Sequence, residues 1–225
     1  MTERMKVVLS WSAGKDSAWS LHVLRQRSDV EVVSLFSSLT GDEDDRKVSM
    51  HGVDRAVVQA QATAADLPLE EIFLPDPCPN DLYEEVMGAF IERVRAQGVT
   101  NVAFGDLFLG DIRKYREDKL RGTGFEPLFP LWQIDTTELA QAMIAGGLKA
   151  YIVSVNTEQL DGRFIGRAFD ETLLVNLPPG CDPCGENGEF HTVTVAGPMF
   201  SASIDVALGD VVQGEGFHHQ QASLS

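Results

Sequence analysis

The chain has 225 residues, 44% hydrophobic and 23% charged, with a formal net charge of −16 and three cysteines. That length and apolar content suit one large α/β domain, or a domain with a smaller appendage, and exclude a disordered or disulfide-framed chain. The charge argues against unaided binding to nucleic acid or an anionic membrane, and no apolar run approaches membrane-spanning length.

Residues 1–6 run straight into the first apolar segment without an export signal, so a cytoplasmic protein with reduced thiols is expected. Lys6-Val7-Val8-Leu9-Ser10 is short and apolar enough to be a buried strand, and Ala18, Leu21 and Leu24 recur at helical spacing up to Gln26. Ser12-Ala13-Gly14-Lys15-Asp16-Ser17 therefore lies on a strand-to-helix turn, where free N–H groups and the helix dipole welcome anions. Gly14 permits close backbone approach, Ser12 and Ser17 add hydroxyls, and Lys15 adds a mobile cation. Asp16 repels phosphates unless it works through Mg²⁺ or caps the helix; both readings are open. The spacing is not that of a Walker A loop.

A second buried strand is predicted over Glu31 to Ser37, followed by an acidic turn, Asp42 to Asp45, read as a solvated, mobile loop. His51 and Gly52 precede a helical stripe over 53–66, which keeps a substrate contact for His51 open beside a plain capping role. A third strand is expected over 69–74. A proline-rich break leads to a helix capped by Asn80 and ending at Gly98, and a fourth strand spans 101–104. Strands alternating with helices predict an α/β fold with a doubly wound parallel sheet, whose ligands sit at strand carboxyl ends. Gly105, Asp106 and Asp111 follow the fourth strand. The two aspartates suit Mg²⁺ or ribose and Arg116 suits a phosphate, unless Asp111 simply caps the helix ending near Gly122.

Glu126 to Trp132 is too proline-rich for an interior strand and marks a soft boundary, giving a unit over 1–132 and a second over 133–225. Asp135 and Glu138 have capping-box spacing for a helix to Ala145, and Ala150 to Val155 resumes strand character. Near the end, Gly185-Glu186-Asn187-Gly188-Glu189-Phe190-His191-Thr192 places carboxylates and an imidazole on one tight loop able to receive a cationic or amine substrate. On local pattern alone, a hairpin leading into strand 192–195 is the simpler reading. Cys181 and Cys184 lack a second pair for zinc and are taken as inert. Residues 216–225 carry His218 and His219 without site spacing, and partial disorder is expected there.

Taken in order, the opening hexapeptide, the Gly105 to Arg116 segment, Pro127-Leu128-Phe129-Pro130-Leu131-Trp132 and the late Gly-Glu-Asn-Gly-Glu-Phe-His-Thr run resemble the diphthine–ammonia ligase family. The hexapeptide is similar to the pyrophosphatase loop of N-type ATP pyrophosphatases. The resemblance covers about 6–207 and implies an adenine nucleotide alpha-hydrolase-like domain with a smaller C-terminal α+β domain closing over it. It implies that a carboxylate attacks the α-phosphate of ATP, releasing pyrophosphate, and that ammonia then displaces AMP. By the same resemblance Ser12, Gly14, Lys15, Asp16 and Ser17 hold ATP with Asp16 facing Mg²⁺, and Gly105, Asp111 and Arg116 match a second motif near the nucleotide; Ala13 and Asp106 join these nucleotide candidates by position. Gly185, Glu186, Gly188, Glu189 and Thr192 match the late motif and are assigned to the acceptor or ammonium, His51 and His191 join them as substrate candidates by position, and Lys15, Asp16, Glu186 and Glu189 are the catalytic candidates. Ala13 stands where the family loop has glycine, a mild change unless φ is positive there. Gly105-Asp106 also departs from the usual pattern and points to a divergent branch. Its acceptor is then diphthine on elongation factor 2 or another carboxylate, including a small molecule. A transfer-RNA-modifying relative and a non-catalytic nucleotide sensor are the alternatives, and homo-oligomerisation is left open.

Overall fold

A computed structural model describes residues 4–40, 47–48, 53–75 and 77–225; the acidic stretch Asp42 to Asp45, and His51 with Gly52, lie outside the described residues. The first half alternates strands and helices: β1 (Met5–Ser10), α1 (Lys15–Arg25), β2 (Val30–Thr40), a short β3 (Lys47–Val48), α2 (Arg55–Ala64), β4 (Leu69–Phe73), α3 (Asn80–Ala96), β5 (Asn101–Ala103), α4 (Gly110–Leu120) and β6 (Glu126–Leu128). Five strands run parallel in the order β4-β2-β1-β5-β6, and β3 joins β2 antiparallel. The order reverses between β1 and β5, so the loops leaving these two strands flank the crevice where such sheets bind ligands.

Both faces of the sheet are covered, which is why its strands read as continuous apolar runs. Val7 and Leu9 point into a core with Leu21 and Leu24 of α1 and Val57 and Val58 of α2. Val8 and Val102 point the other way, onto Phe90 and Val94 of α3 and Leu120 of α4. The fold is thus the doubly wound one expected. Two local details differ. The second strand is longer than its apolar run, and Asn80 is the first helical residue of α3, with Pro79 at the N-cap and no side-chain capping bond. Proline suits the start of a helix because the N–H it lacks has no helical acceptor there. Pro127 lies on the edge strand β6, the position open to a residue that cannot donate.

The second half builds a smaller antiparallel sheet from β7 (Lys149–Asn156), β8 (Phe190–Ala196), β9 (Val206–Gln213) and β10 (Phe217–Leu224), in the order β8-β7-β10-β9. It is preceded by α5 (Thr136–Ala145), whose N-cap Asp135 accepts from the N–H groups of Thr137 and Glu138 at 2.9 and 3.0 Å. A short α6 (Glu171–Asn176) lies between β7 and β8. The expected disorder of the tail is corrected here: β10 is an inner strand, paired with β7 and β9. Main-chain pairing on both sides orders it, and that is invisible in its polar composition. Its Ala222 is wholly buried, bridges Val53, and accepts from Asp54 N–H at 3.1 Å. One continuous core, containing Leu9, Ala13, Ile152, Val193 and Ala222, joins the two sheets.

Candidate functional site

The loop after β1 is closed by its own side chains. Ser12 Oγ lies 3.2 Å from Ser17 Oγ and accepts from Gly14 N–H at 3.4 Å, while Ser17 Oγ donates to Gly14 O at 3.0 Å. Gly14 is the N-cap of α1, so the first-turn amides face the loop mouth. Ala13 has φ +66°, so the condition under which its replacement of glycine ceases to be mild is met. Its carbonyl accepts from Thr194 N–H at 2.9 Å and from Gln61 Nε2 at 3.0 Å.

The late motif lies directly on this loop. Thr192 Oγ1 accepts from Lys15 N–H at 3.1 Å, and a Cβ on Gly14 would approach Thr192 O at 3.2 Å, a reason for glycine at that position. Gly185 and Gly188 have φ of +71° and +86°, backbone states that only glycine adopts without strain. The two glutamates of the motif diverge. Glu189 is 4% exposed and builds the loop, accepting from Asp182 N–H at 2.9 Å and Asn187 Nδ2 at 3.1 Å. Glu186 reaches outward to accept from Leu107 N–H at 2.8 Å, gripping the segment that leaves β5. Burial pushes Glu186 up to about 7, with the backbone N–H of Leu107 opposing and the Asp16 charge adding. Burial drives His191 down to about 4, helped by Lys15 and His219, so its imidazole is neutral at pH 7.

Gly105 acts by close approach: a Cβ there would sit 3.1 Å from Asp16 C and Ser17 N. Asp106 lies 3.6 Å from Arg116 Nε, and Arg116 stacks over the Phe104 ring at 4.6 Å. Asp111 is exposed in the first turn of α4, where no side-chain cap forms. A cleft of about 590 Å³ opens beside these groups, between the carboxyl ends of β1, β2 and β5 and the helices α3 and α4. Phe36, Tyr83, Phe90, Phe104, Tyr115 and Arg116 line it, and Ser10 carries it to the foot of the loop. Burial and the neighbouring Tyr115 push the Tyr83 phenol up to about 12, so it remains a donor.

Lys15 and Asp16 form a pair at 2.8 Å, with side chains 3% and 27% exposed. Burial alone would lower the Lys15 ammonium, but the Asp16 carboxylate reverses this and holds it above its ordinary value. Burial raises Asp106, Arg116 pulls it back, and Asp16 adds repulsion; Asp106 Oδ2 is buried without a hydrogen-bond partner. Mutually repelling carboxylates with an unsatisfied oxygen suit Mg²⁺, which takes hard oxygen ligands. No group of three or more His, Cys, Asp or Glu among the described residues could hold a metal by itself.

Two residues absent from the sequence reading hold the site together. Gln61, fully buried, accepts from Trp11 Nε1 at 2.8 Å and donates to Ala13 O and to Thr194 O at 2.7 Å. A glutamine on the same face as Val57 and Val58 of α2 is the signal that marks it. Asp182 accepts from Cys184 N–H at 2.9 Å, Glu186 N–H at 3.1 Å and Thr136 Oγ at 2.6 Å. Cys184 is buried and its thiol is pushed up by burial, as an inert cysteine is.

The family described as Diphthamide synthase N-terminal domain matches residues 5–126, and the Diphthamide synthase C-terminal domain matches residues 135–223. A diphthine–ammonia ligase of Schizosaccharomyces pombe is 26% identical over 229 residues, 93% of this chain and 37% of that protein. One of Rattus norvegicus is 25% identical over 232 residues, 92% of this chain and 85% of that protein. One of Homo sapiens is 31% identical over 139 residues, 59% of this chain and 50% of that protein. The chain thus spans well under half of the yeast relative and most of the rat one.

Proposed function

The chain belongs to the diphthamide synthase family, and on that premise we propose that it is an ATP-dependent ligase that adenylates a carboxylate and aminates it with ammonia. The carboxylate oxygen bonds to the α-phosphorus and pyrophosphate leaves; ammonia then bonds to the acyl carbon, AMP leaves, and one proton is released. The observation that carries this reading is that the loop 12–17 and the late motif form one bonded unit at the switch point of the sheet, beside an aromatic cleft. The cleft accepts the adenosine between Phe36, Phe104 and Tyr83, and the α1 amides accept the phosphates. Asp16 and Asp106 are the groups to hold Mg²⁺, which when bound neutralises phosphate charge. Glu186 and His191 line the side from which acceptor and ammonia approach, and fixed dipoles around Lys15 stabilise charge on the α-phosphorus.

We assign nucleotide binding to residues 1–132 and acceptor binding to 133–225. The acceptor is a carboxylate, diphthine on elongation factor 2 or a small molecule, and the compartment is the cytoplasm. Among the described residues no helix is long and apolar enough to cross a membrane. The −16 charge counts against a transfer-RNA substrate, and relatives named as ligases count against a passive sensor. The test is the fate of α-labelled ATP with Mg²⁺, ammonium and fractionated carboxylate acceptors. AMP with pyrophosphate is the expected product pair, and ADP would overturn the mechanism.

A further inference from the structure

The Lys15 ammonium does not point into the loop mouth. It lies 2.8 and 3.1 Å from the two Asp16 carboxylate oxygens and donates to Cys184 O. The ring centroids of Phe190 and Phe169 stand 5.5 and 5.6 Å away, within cation–π range. Both rings are 2% exposed, and the Lys15 side chain is 3% exposed. A carboxylate, a carbonyl and two aromatic faces enclose one nitrogen with water excluded, which is how proteins hold ammonium-type cations. In this position the lysine is out of reach of work at the phosphates, because its partners are already taken. Its four-carbon stem is flexible, so the head group has a second place to go.

We propose that this cage is an ammonium-binding site, which Lys15 fills with its own head group and vacates when bound phosphates draw it into the loop mouth. The proposal rests on the ligase reading for ammonium as the second substrate. Cys184 O and one Asp16 oxygen accept N–H bonds from the incoming ion, the other Asp16 oxygen being left for Mg²⁺, and Phe169 and Phe190 cover its remaining directions. The cage offers no donor to an anion or a neutral amide, so the product is not retained. Occupation by Lys15 keeps the site closed until nucleotide has bound, an order that ties ammonium binding to the presence of ATP.

The test empties the cage. Lys15→Ala is melted in ammonium chloride and in sodium chloride at equal ionic strength. Ammonium is expected to raise its melting temperature by about 3 °C or more over sodium, with no such difference in the wild type. Adding Phe169→Leu is expected to remove the response. An equal response of Lys15→Ala to the two salts would overturn the proposal. Should that variant not fold, the wild type decides alone through its affinity for α,β-methylene-ATP with Mg²⁺. By linkage that affinity should be about threefold or more tighter in ammonium than in sodium chloride, and equal affinities would overturn the proposal. Neither measurement requires turnover, so a failure to form AMP would remove the ligase reading and leave the cage result standing.

Discussion

The two loops that meet at Lys15 are built on opposite plans. Residues 12–17 are closed on themselves by serine hydroxyls reaching two to five positions along the chain, and distant chain meets them only at Ala13 O and at the Lys15 N–H and ammonium. Residues 181–192 are held locally by Asp182 and Glu189, but their purpose is distant: Glu186 grips Leu107, Thr192 grips Lys15, and Asp182 grips Thr136. A local loop presents chemistry, whereas a reaching loop fixes the geometry in which that chemistry acts. Damage to the first should therefore appear in turnover, and damage to the second in stability.

The largest expected effect breaks the first loop. Asp16→Asn should lower AMP formation by about 1000-fold while moving the melting temperature by only a few degrees, as an electrostatic group at the reacting phosphate does. Equal losses in turnover and melting would make Asp16 a structural cap. Next, Glu189→Ala removes a buried carboxylate that two donors need, and should cost about 3 kcal/mol in urea unfolding. Little change in the denaturation midpoint would show that the second loop does not rest on Glu189.

Glu186 sharpens the contrast through pH. Its folded value of about 7 lies above the ordinary 4.5 of a glutamate, so over that window the folded protein holds a proton that the unfolded chain has released. Its contribution to stability is complete below 4.5, falls as pH rises, and is gone above about 7. Glu186→Gln keeps an acceptor for Leu107 N–H and is neutral throughout. It should match the wild type at pH 4 and exceed it by on the order of 2 kcal/mol at pH 8, read from melting curves. His191 works in the opposite sense: its value of about 4 is below the ordinary 6.5, so its contribution is present above 6.5 and lost as pH falls through 4. Glu186→Gln should therefore expose a stability that rises with pH between 4 and 6.5. The smallest effect is Ala13→Gly. Relief of φ +66° outweighs the added entropy of the unfolded chain, for a gain of about 0.5 kcal/mol with turnover unchanged.

This division also governs what the sequence disclosed. The hexapeptide was legible because strand, turn residues and helix lie side by side, and Asp135 was legible as a cap for the same reason. Gly105 is expected from sequence at the nucleotide, and the structure adds that the main chain of Asp16 and Ser17 packs where its Cβ would be, a proximity that no local pattern encodes. Glu186 and Glu189 each follow a glycine, and only the folded chain assigns one to reach and the other to build. Gln61 stood in plain view as a polar residue in an apolar stripe, but its partners come from two distant stretches of chain, Trp11 with Ala13 and Thr194. Partial disorder was the expectation for residues 216–225, whereas 217–224 form an inner strand, because inner position concerns backbone pairing and not side-chain burial.

The placement of β10 bears on how the molecule is assembled. β7 and β8 precede β9 and β10 in the sequence, and the strand that joins β7 to β9 is the last of the four. The same strand supplies the carbonyl that satisfies Asp54 N–H at the N-cap of α2. The larger, parallel sheet's half is thus completed by residues more than 150 positions away, and contacts so distant in sequence slow folding. A protease cut within 217–224 would loosen both halves at once, separating β7 from β9 and freeing the first turn of α2.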